Sequence, residues 1–131
     1  MFCGAVALAI ADAYDIIQIT DGTYAGNENR NLSLHKPLIL FSENGPETCI
    51  LDCGLVSRGL YAVNSAGLII RGIQFLHGFS DYGYGNGDSY GGAVYCSNTI
   101  ITLDTCRFRE NIAANAGGVL ASYLEWLNGL V

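Results

Sequence analysis

The sequence predicts an all-β solenoid, a stack of short parallel strands wound into about three to four coils. Three observations predict it. Apolar runs of at most ten residues alternate with Gly, Asn, Ser and Asp, the punctuation of strands and turns. Residues 59–78 align without a gap on residues 92–111 at an offset of 33, setting Leu68 on Ile101, Ile70 on Leu103, Ile73 on Cys106 and Phe75 on Phe108. A weaker earlier copy runs through 38–42 and 49–52, with Cys49 under Ile73 and Leu51 under Phe75. Units of this length made of short strands cannot bury an apolar face alone and do so by stacking on their neighbours.

The elements follow in order, within one predicted domain over 1–131. Residues 1–13 read as a capping helix, because Val6, Ala9, Ile10 and Ala13 keep the spacing of one buried helical face. The rival is a signal-peptide remnant, given the short apolar stretch and the Ala-x-Ala ending at Ala13, although no Lys or Arg precedes that stretch. Coils occupy 15–121, with strands at 16–19, 32–34, 38–42, 49–52, 60–63, 68–75, 94–96 and 100–108. The same offset sets Val63 on Cys96. Gly91-Gly92 recurs as Gly117-Gly118 after only 26 residues, so the longer spacing carries a seven-residue insertion within 79–90.

Stacking at ~4.8 Å makes Cys49, Ile73 and Cys106 one inward column and Leu51, Phe75 and Phe108 another, and puts Arg71 beside Asp104 outside. Asn98 and Asn111 suit the corners, because Asn tolerates left-handed backbone. Ser122–Gly129 reads as a second cap, with Ser122 as N-cap, Glu125 three residues on, Asn128-Gly129 as the stop and Trp126 packed into it. Its face would carry Leu120, Tyr123, Leu124 and Leu127. The rival for 122–131 is the tail of a fragment cut from a longer solenoid. Uncovered strand edges at either end would favour self-association.

Composition narrows the function. Twelve acidic residues against six basic ones leave a formal charge of −6, which repels phosphate backbones and so disfavours nucleic acid. The longest apolar run, Ala5–Ala11, is far below the ~20 residues of a membrane-spanning helix. The five cysteines show no metal-ligand spacing, and Cys49 and Cys53, four apart in a strand, stand about 13 Å from each other, beyond disulfide reach. They read as buried thiols packing as small hydrophobes.

Gly-Gly-Ala-Val at 91–94, Gly-Gly-Val-Leu at 117–120 and Phe-Arg-Glu-Asn at 108–111 resemble the GGA[IVL] and FxxN repeat motifs of the polymorphic outer-membrane proteins. These belong to the right-handed parallel β-helix class of pectate-lyase-like folds. Residues 15–24 and 42–53 look like the first coil of bacterial surface proteins of that class, and the resemblance covers about residues 5–121. It implies a right-handed helix, export to the cell surface or outer membrane of a bacterium, and a role as adhesin or passive stalk, often followed in longer relatives by a membrane barrel. Phe75-Leu76-His77-Gly78 departs from FxxN by lacking the asparagine, so that corner must close differently.

Relatives of this class that cleave or modify acidic glycans use carboxylates beside an arginine, and Asp52, Arg71 and Asp104 are the matching residue types here. The register puts Asp52 and Asp104 on different faces, which favours solvated charges over a catalytic set. Asp81 and Asp88, among glycines, are the candidates for calcium, but EF-hand spacing is absent and no cofactor is predicted. Phe79, Tyr82, Tyr84 and Tyr90 make the insertion rich in aromatics, which suits contact with a glycan or with a host or cell-surface protein; the alternative is that they fold back over the coils. His77 has no partner identifiable from sequence and reads as structural. The expected function is a non-catalytic extracellular or cell-surface binding module, adhesin-like. The alternatives are a lyase or hydrolase on acidic glycans and a structural spacer or fragment of a longer surface protein.

Overall fold

A computed structural model of the chain describes Ala7, Leu8, residues 10–80 and 91–114, and the backbone of residues 120–123. A first circuit holds β1 (Ile16–Ile19), β2 (Gly22–Tyr24) and β3 (Leu32–Leu34), and a second holds β4 (Ile39–Ser42), β5 (Cys49–Asp52) and β6 (Leu60–Val63). The third holds β7 (Leu68–Arg71), β8 (Gln74–Leu76), β9 (Phe79–Ser80) and β10 (Val94–Ser97). The fourth holds β11 (Ile101–Asp104), β12 (Arg107–Arg109), β13 (Ile112–Ala113) and β14 (Leu120–Tyr123).

Each circuit gives one strand to each of three four-stranded sheets. Sheet A is β1-β4-β7-β11, sheet B is β2-β5-β8-β12, sheet C is β3-β6-β10-β14, and β9 and β13 form a separate pair. Every pairing among these strands is parallel. Stacked parallel sheets visited in one fixed order are compatible with a β-helix.

The inward positions follow the period of two. In β5 and β6 buried and half-buried residues alternate, and the buried sets of all three sheets meet in one core. Pairing stacks like on like: Tyr24, Leu51, Phe75 and Phe108 form one column and Ile17, Leu40, Ile70 and Leu103 another. Phe75 is fully buried and its ring lies on that of Phe108 at 5.3 Å and 9°, worth about 0.5–1.5 kcal/mol beyond the burial itself.

The offset of 33 holds in sheets A and B and in the small pair. Sheet C departs from it. There Leu60 pairs with Val94 and Ala62 with Cys96, an offset of 34, so the expected match of Val63 with Cys96 is wrong. The cause is the corner length, four residues between β6 and β7 but three between β10 and β11. A slip of one residue swaps the faces of a strand, and the half-buried Val63 indeed falls on the outward set while Cys96 is fully buried. Between β10 and β14 the offset is 26, as the glycine pairs require.

Two further expectations are corrected at the ends. Among the described residues α-helical backbone is confined to one turn at Ala7, Leu8 and Ile10, closed by Ala11 N–H donating to Ala7 O at 3.1 Å, apart from a 3-10 turn at Asn27–Asn29. Its buried side is Leu8 and Ala11, while Ile10 is 78% exposed and Ala13 also faces solvent; Val6 and Ala9 lie outside the described residues. Leu8 and Ala11 are also spaced i, i+3, so the same periodicity puts a face turned by one or two positions against the core. At the other end Ser122 caps no helix. It sits in β14, paired with Cys96, because sheet-C pairing overrides the local capping signal. Residues 124–131, with Trp126, lie outside the described residues.

Left-handed residues turn the corners. Gly72 and Thr105 (φ 69° and 53°) break the expected runs 68–75 and 100–108 between sheets A and B, and Asn64 and Asn98 (55° and 49°) turn from C to A. Beyond sheet B the left-handed residues include Gly54, His77 and Glu110 (64°, 57° and 54°). Asn98 behaves as expected. Asn111 does not: Glu110 takes the strained backbone and Asn111 acts through its side chain.

Candidate functional site

The corner beyond sheet B, in the second to fourth circuits, holds the densest chemistry among the described residues. Strands β5, β8 and β12 end in register at Asp52, Leu76 and Arg109. From the fourth circuit Asn111 reaches back: its Oδ1 accepts from Gly78 N–H at 2.7 Å and its Nδ2 donates to Phe75 O at 3.0 Å. This is how the third corner closes without its own asparagine. Only glycine fits at 78, since a Cβ there would strike Gly92 O and the Asn111 carboxamide.

His77 stands on this corner and joins three circuits, through partners that the sequence alone did not identify. Its Nδ1 donates to Asp52 Oδ1 at 3.0 Å in the second circuit. Its Nε2 lies 3.7 Å from Glu110 Oε2 in the fourth. A carboxylate can only accept, so Nδ1 carries a hydrogen and Asp52 fixes the ring orientation.

Apolar side chains stand exposed just beyond. Leu55 and Val56 are 47% and 60% exposed, Ile112 is 50% exposed, and Phe79, paired with Ile112, is partly covered. On the outer face of sheet C, Tyr61 and Tyr95 stack at 5.3 Å and 11°. The Arg58 guanidinium lies 5.6 and 5.3 Å from their ring centres, and its Nε donates to Gly91 O at 3.3 Å. Arg58 is only 6% exposed, so this cation–π contact is desolvated and worth about 2 kcal/mol. It fastens Gly91 at the approach to β10.

The residues singled out from sequence divide as follows. Arg71 and Asp104 meet at 3.2 Å at the end of sheet A, both half exposed, as their pairing implied. Asp52 ends a strand of sheet B and is engaged with His77, so it is not brought together with those two. Phe79 is in β9. Tyr82, Tyr84, Tyr90, Asp81 and Asp88 lie outside the described residues. Sequence reasoning missed Glu110, although the offset of 33 sets it on His77, and missed Arg58 with Tyr61 and Tyr95.

Among the described residues no group of three His, Cys, Asp or Glu is arranged to hold a metal ion. Cys49, Cys53, Cys96 and Cys106 are free thiols. Burial pushes Cys49 up to about 11, helped by the nearby Asp21 charge, and Cys53 and Cys96 up to about 12. They stay protonated at neutral pH and offer no thiolate nucleophile. No helix among the described residues is long and apolar enough to cross a membrane. Comparison with protein-family models, curated proteins and solved structures finds no match to the chain.

Proposed function

We propose that this chain is a right-handed parallel β-helix module, displayed outside the cell or on its outer surface, that binds a glycan or a host or cell-surface protein without catalysis. The contact surface is the corner beyond sheet B together with the Phe79, Tyr82, Tyr84 and Tyr90 segment that leaves it. One observation carries the reading: large apolar side chains stand exposed on the second and fourth circuits, Leu55 and Val56 on one and Ile112 on the other, with the half-buried Phe79 paired to Ile112 at the root of that segment. Contiguous exposed apolar surface of this kind marks interaction sites. The GGA[IVL] and FxxN resemblance supports surface display, and the corner-closing role of Asn111 gives the FxxN asparagine a physical reason. A lyase or hydrolase would need carboxylates converging with an arginine, whereas Arg71 and Asp104 neutralise each other one sheet away from Asp52. A passive spacer leaves the exposed stripe without a purpose.

The test is binding of the purified protein to host-cell surfaces and to glycan and protein arrays. The triple variant Tyr82→Ala, Tyr84→Ala, Tyr90→Ala and the double variant Val56→Ser, Ile112→Ser are compared with wild type, with circular dichroism confirming the fold. Loss of binding in either supports the reading. Undiminished binding in both overturns it.

A further inference from the structure

The corner between sheets A and B is two residues long in three circuits, at 20–21, 72–73 and 105–106, and six residues long in the second, at 43–48. The longer turn carries Asn44-Gly45, and side chains of three circuits hold it in place. Asn44 Nδ2 donates to both oxygens of Asp21, at 3.0 and 3.1 Å, and Thr48 Oγ1 donates to Asp21 Oδ1 at 3.0 Å. Gly45 N–H donates to Ser42 Oγ at 2.9 Å. From the third circuit Gln74 Nε2 donates to Pro46 O at 3.1 Å, and Gly72 lies so close to Ser42 that a Cβ would strike its hydroxyl.

Asn-Gly is the pair in which a backbone nitrogen most readily attacks the preceding carboxamide, because glycine has no Cβ to hinder the approach. In that reaction the Gly45 nitrogen bonds to Asn44 Cγ. The carboxamide nitrogen leaves as ammonia, taking its own two hydrogens and the proton from Gly45, and a succinimide ring remains. Water then adds across one of the two ring C–N bonds at the Gly45 nitrogen. Opening at Cγ gives aspartate, and opening at the Asn44 backbone carbonyl gives isoaspartate, which lengthens the main chain by one methylene. Asn44 and Asp21 are both exposed, so water reaches them.

In the folded protein the two reacting groups are engaged elsewhere. The Asp21 charge holds the carboxamide hydrogens and keeps Cγ electron-rich, while Ser42 fixes the plane of the Gly45 peptide. Either product sets a second carboxylate facing Asp21 where an amide now donates to it, and like charges there repel. We propose that Asn44 is a deamidation site, kept unreacted by the stacking of the first circuit on the second, whose conversion after that contact opens prevents it from closing as before.

The test follows Asn44 in the full chain by peptide mapping and mass spectrometry in mildly alkaline buffer. Mapping separates it from Asn86-Gly87 and Asn128-Gly129, which lie outside the described residues. In the folded protein Asn44 converts at least ~10-fold more slowly than in a free peptide of residues 40–49. Asp21→Ala speeds the conversion about threefold or more, the effect of losing exposed charged hydrogen bonds. Asp104→Ala, which removes a carboxylate on another circuit, leaves the rate unchanged, and circular dichroism confirms that both variants are folded. Should Asp21→Ala fail to fold, mimics of the product decide. Asn44→Asp lowers the urea midpoint, and Asp21→Asn combined with Asn44→Asp, which again sets an amide against a carboxylate, restores most of it. Conversion in the folded wild type as fast as in the peptide, an unchanged rate in folded Asp21→Ala, or an Asn44→Asp midpoint equal to wild type overturns the proposal.

Discussion

Replacing Thr105 by glycine stabilises this protein. Thr105 turns the chain from β11 into β12 at φ 53°, where an L side chain crowds the following carbonyl oxygen at a cost near the upper end of about 1–2 kcal/mol for a β-branched residue. One circuit earlier the same corner is made by Gly72 at φ 69°, and its N–H donates to Asp104 O at 3.0 Å, so the two corners lie one on the other. Glycine relieves the strain but has more freedom in the unfolded chain, which returns about 0.7 kcal/mol. The Thr105 hydroxyl also donates to Asp104 Oδ1 at 3.0 Å, an exposed bond worth about 0.5 kcal/mol. The balance is a gain of about 0.5–1 kcal/mol. In urea this raises the midpoint by roughly 0.3–0.5 M at unchanged slope, and in a thermal scan it raises Tm by about 2–4 °C. The converse variant, Gly72→Ala, loses stability, because a Cβ there strikes the Ser42 hydroxyl as well as adopting the strained backbone. A midpoint for Thr105→Gly at or below wild type would refute the reasoning.

Two more outcomes follow from the corners and the core. Asn111→Ala leaves Gly78 N–H and Phe75 O without partners on a half-buried turn, and costs about 2–3 kcal/mol in urea unfolding; a loss below ~0.5 kcal/mol counts against the corner-closing role. Because burial raises the thiols of Cys49, Cys53 and Cys96 above their ordinary value of about 9, the unfolded chain sheds these protons first as pH rises. Stability is then fully present below about 9 and declines towards about 11–12. Measured midpoints from pH 8 to 11 should show this decline, and Cys96→Val should flatten it.

The columns of the core were legible because strands stacked in parallel set like residues on like, so a gap-free alignment doubles as a contact map. Phe75 on Phe108 and Arg71 beside Asp104 follow from it. The same alignment failed at sheet C. A corner one residue shorter leaves no trace in hydrophobicity when Val63 and Cys96 are both apolar, and only the alternation of burial reveals the slip. His77 looked solitary because its partners come from circuits 25 residues before and 33 after, where chain neighbours carry no information. Arg58 read as an ordinary charge, since nothing local says that two tyrosines 34 residues apart will stack beneath it. Ser122 followed capping grammar, and backbone pairing with Cys96 prevailed.

The reach of Asn111 back to Gly78 and Phe75 makes the third turn unfinished until the fourth has been laid down. Winding therefore has a direction. A chain emerging from its amino end cannot lock one storey before the next arrives, and a cut anywhere ahead of Asn111 loosens the storey beneath the missing one as well. Damage at the upper end travels downward, because the fourth floor lends stiffness to the third.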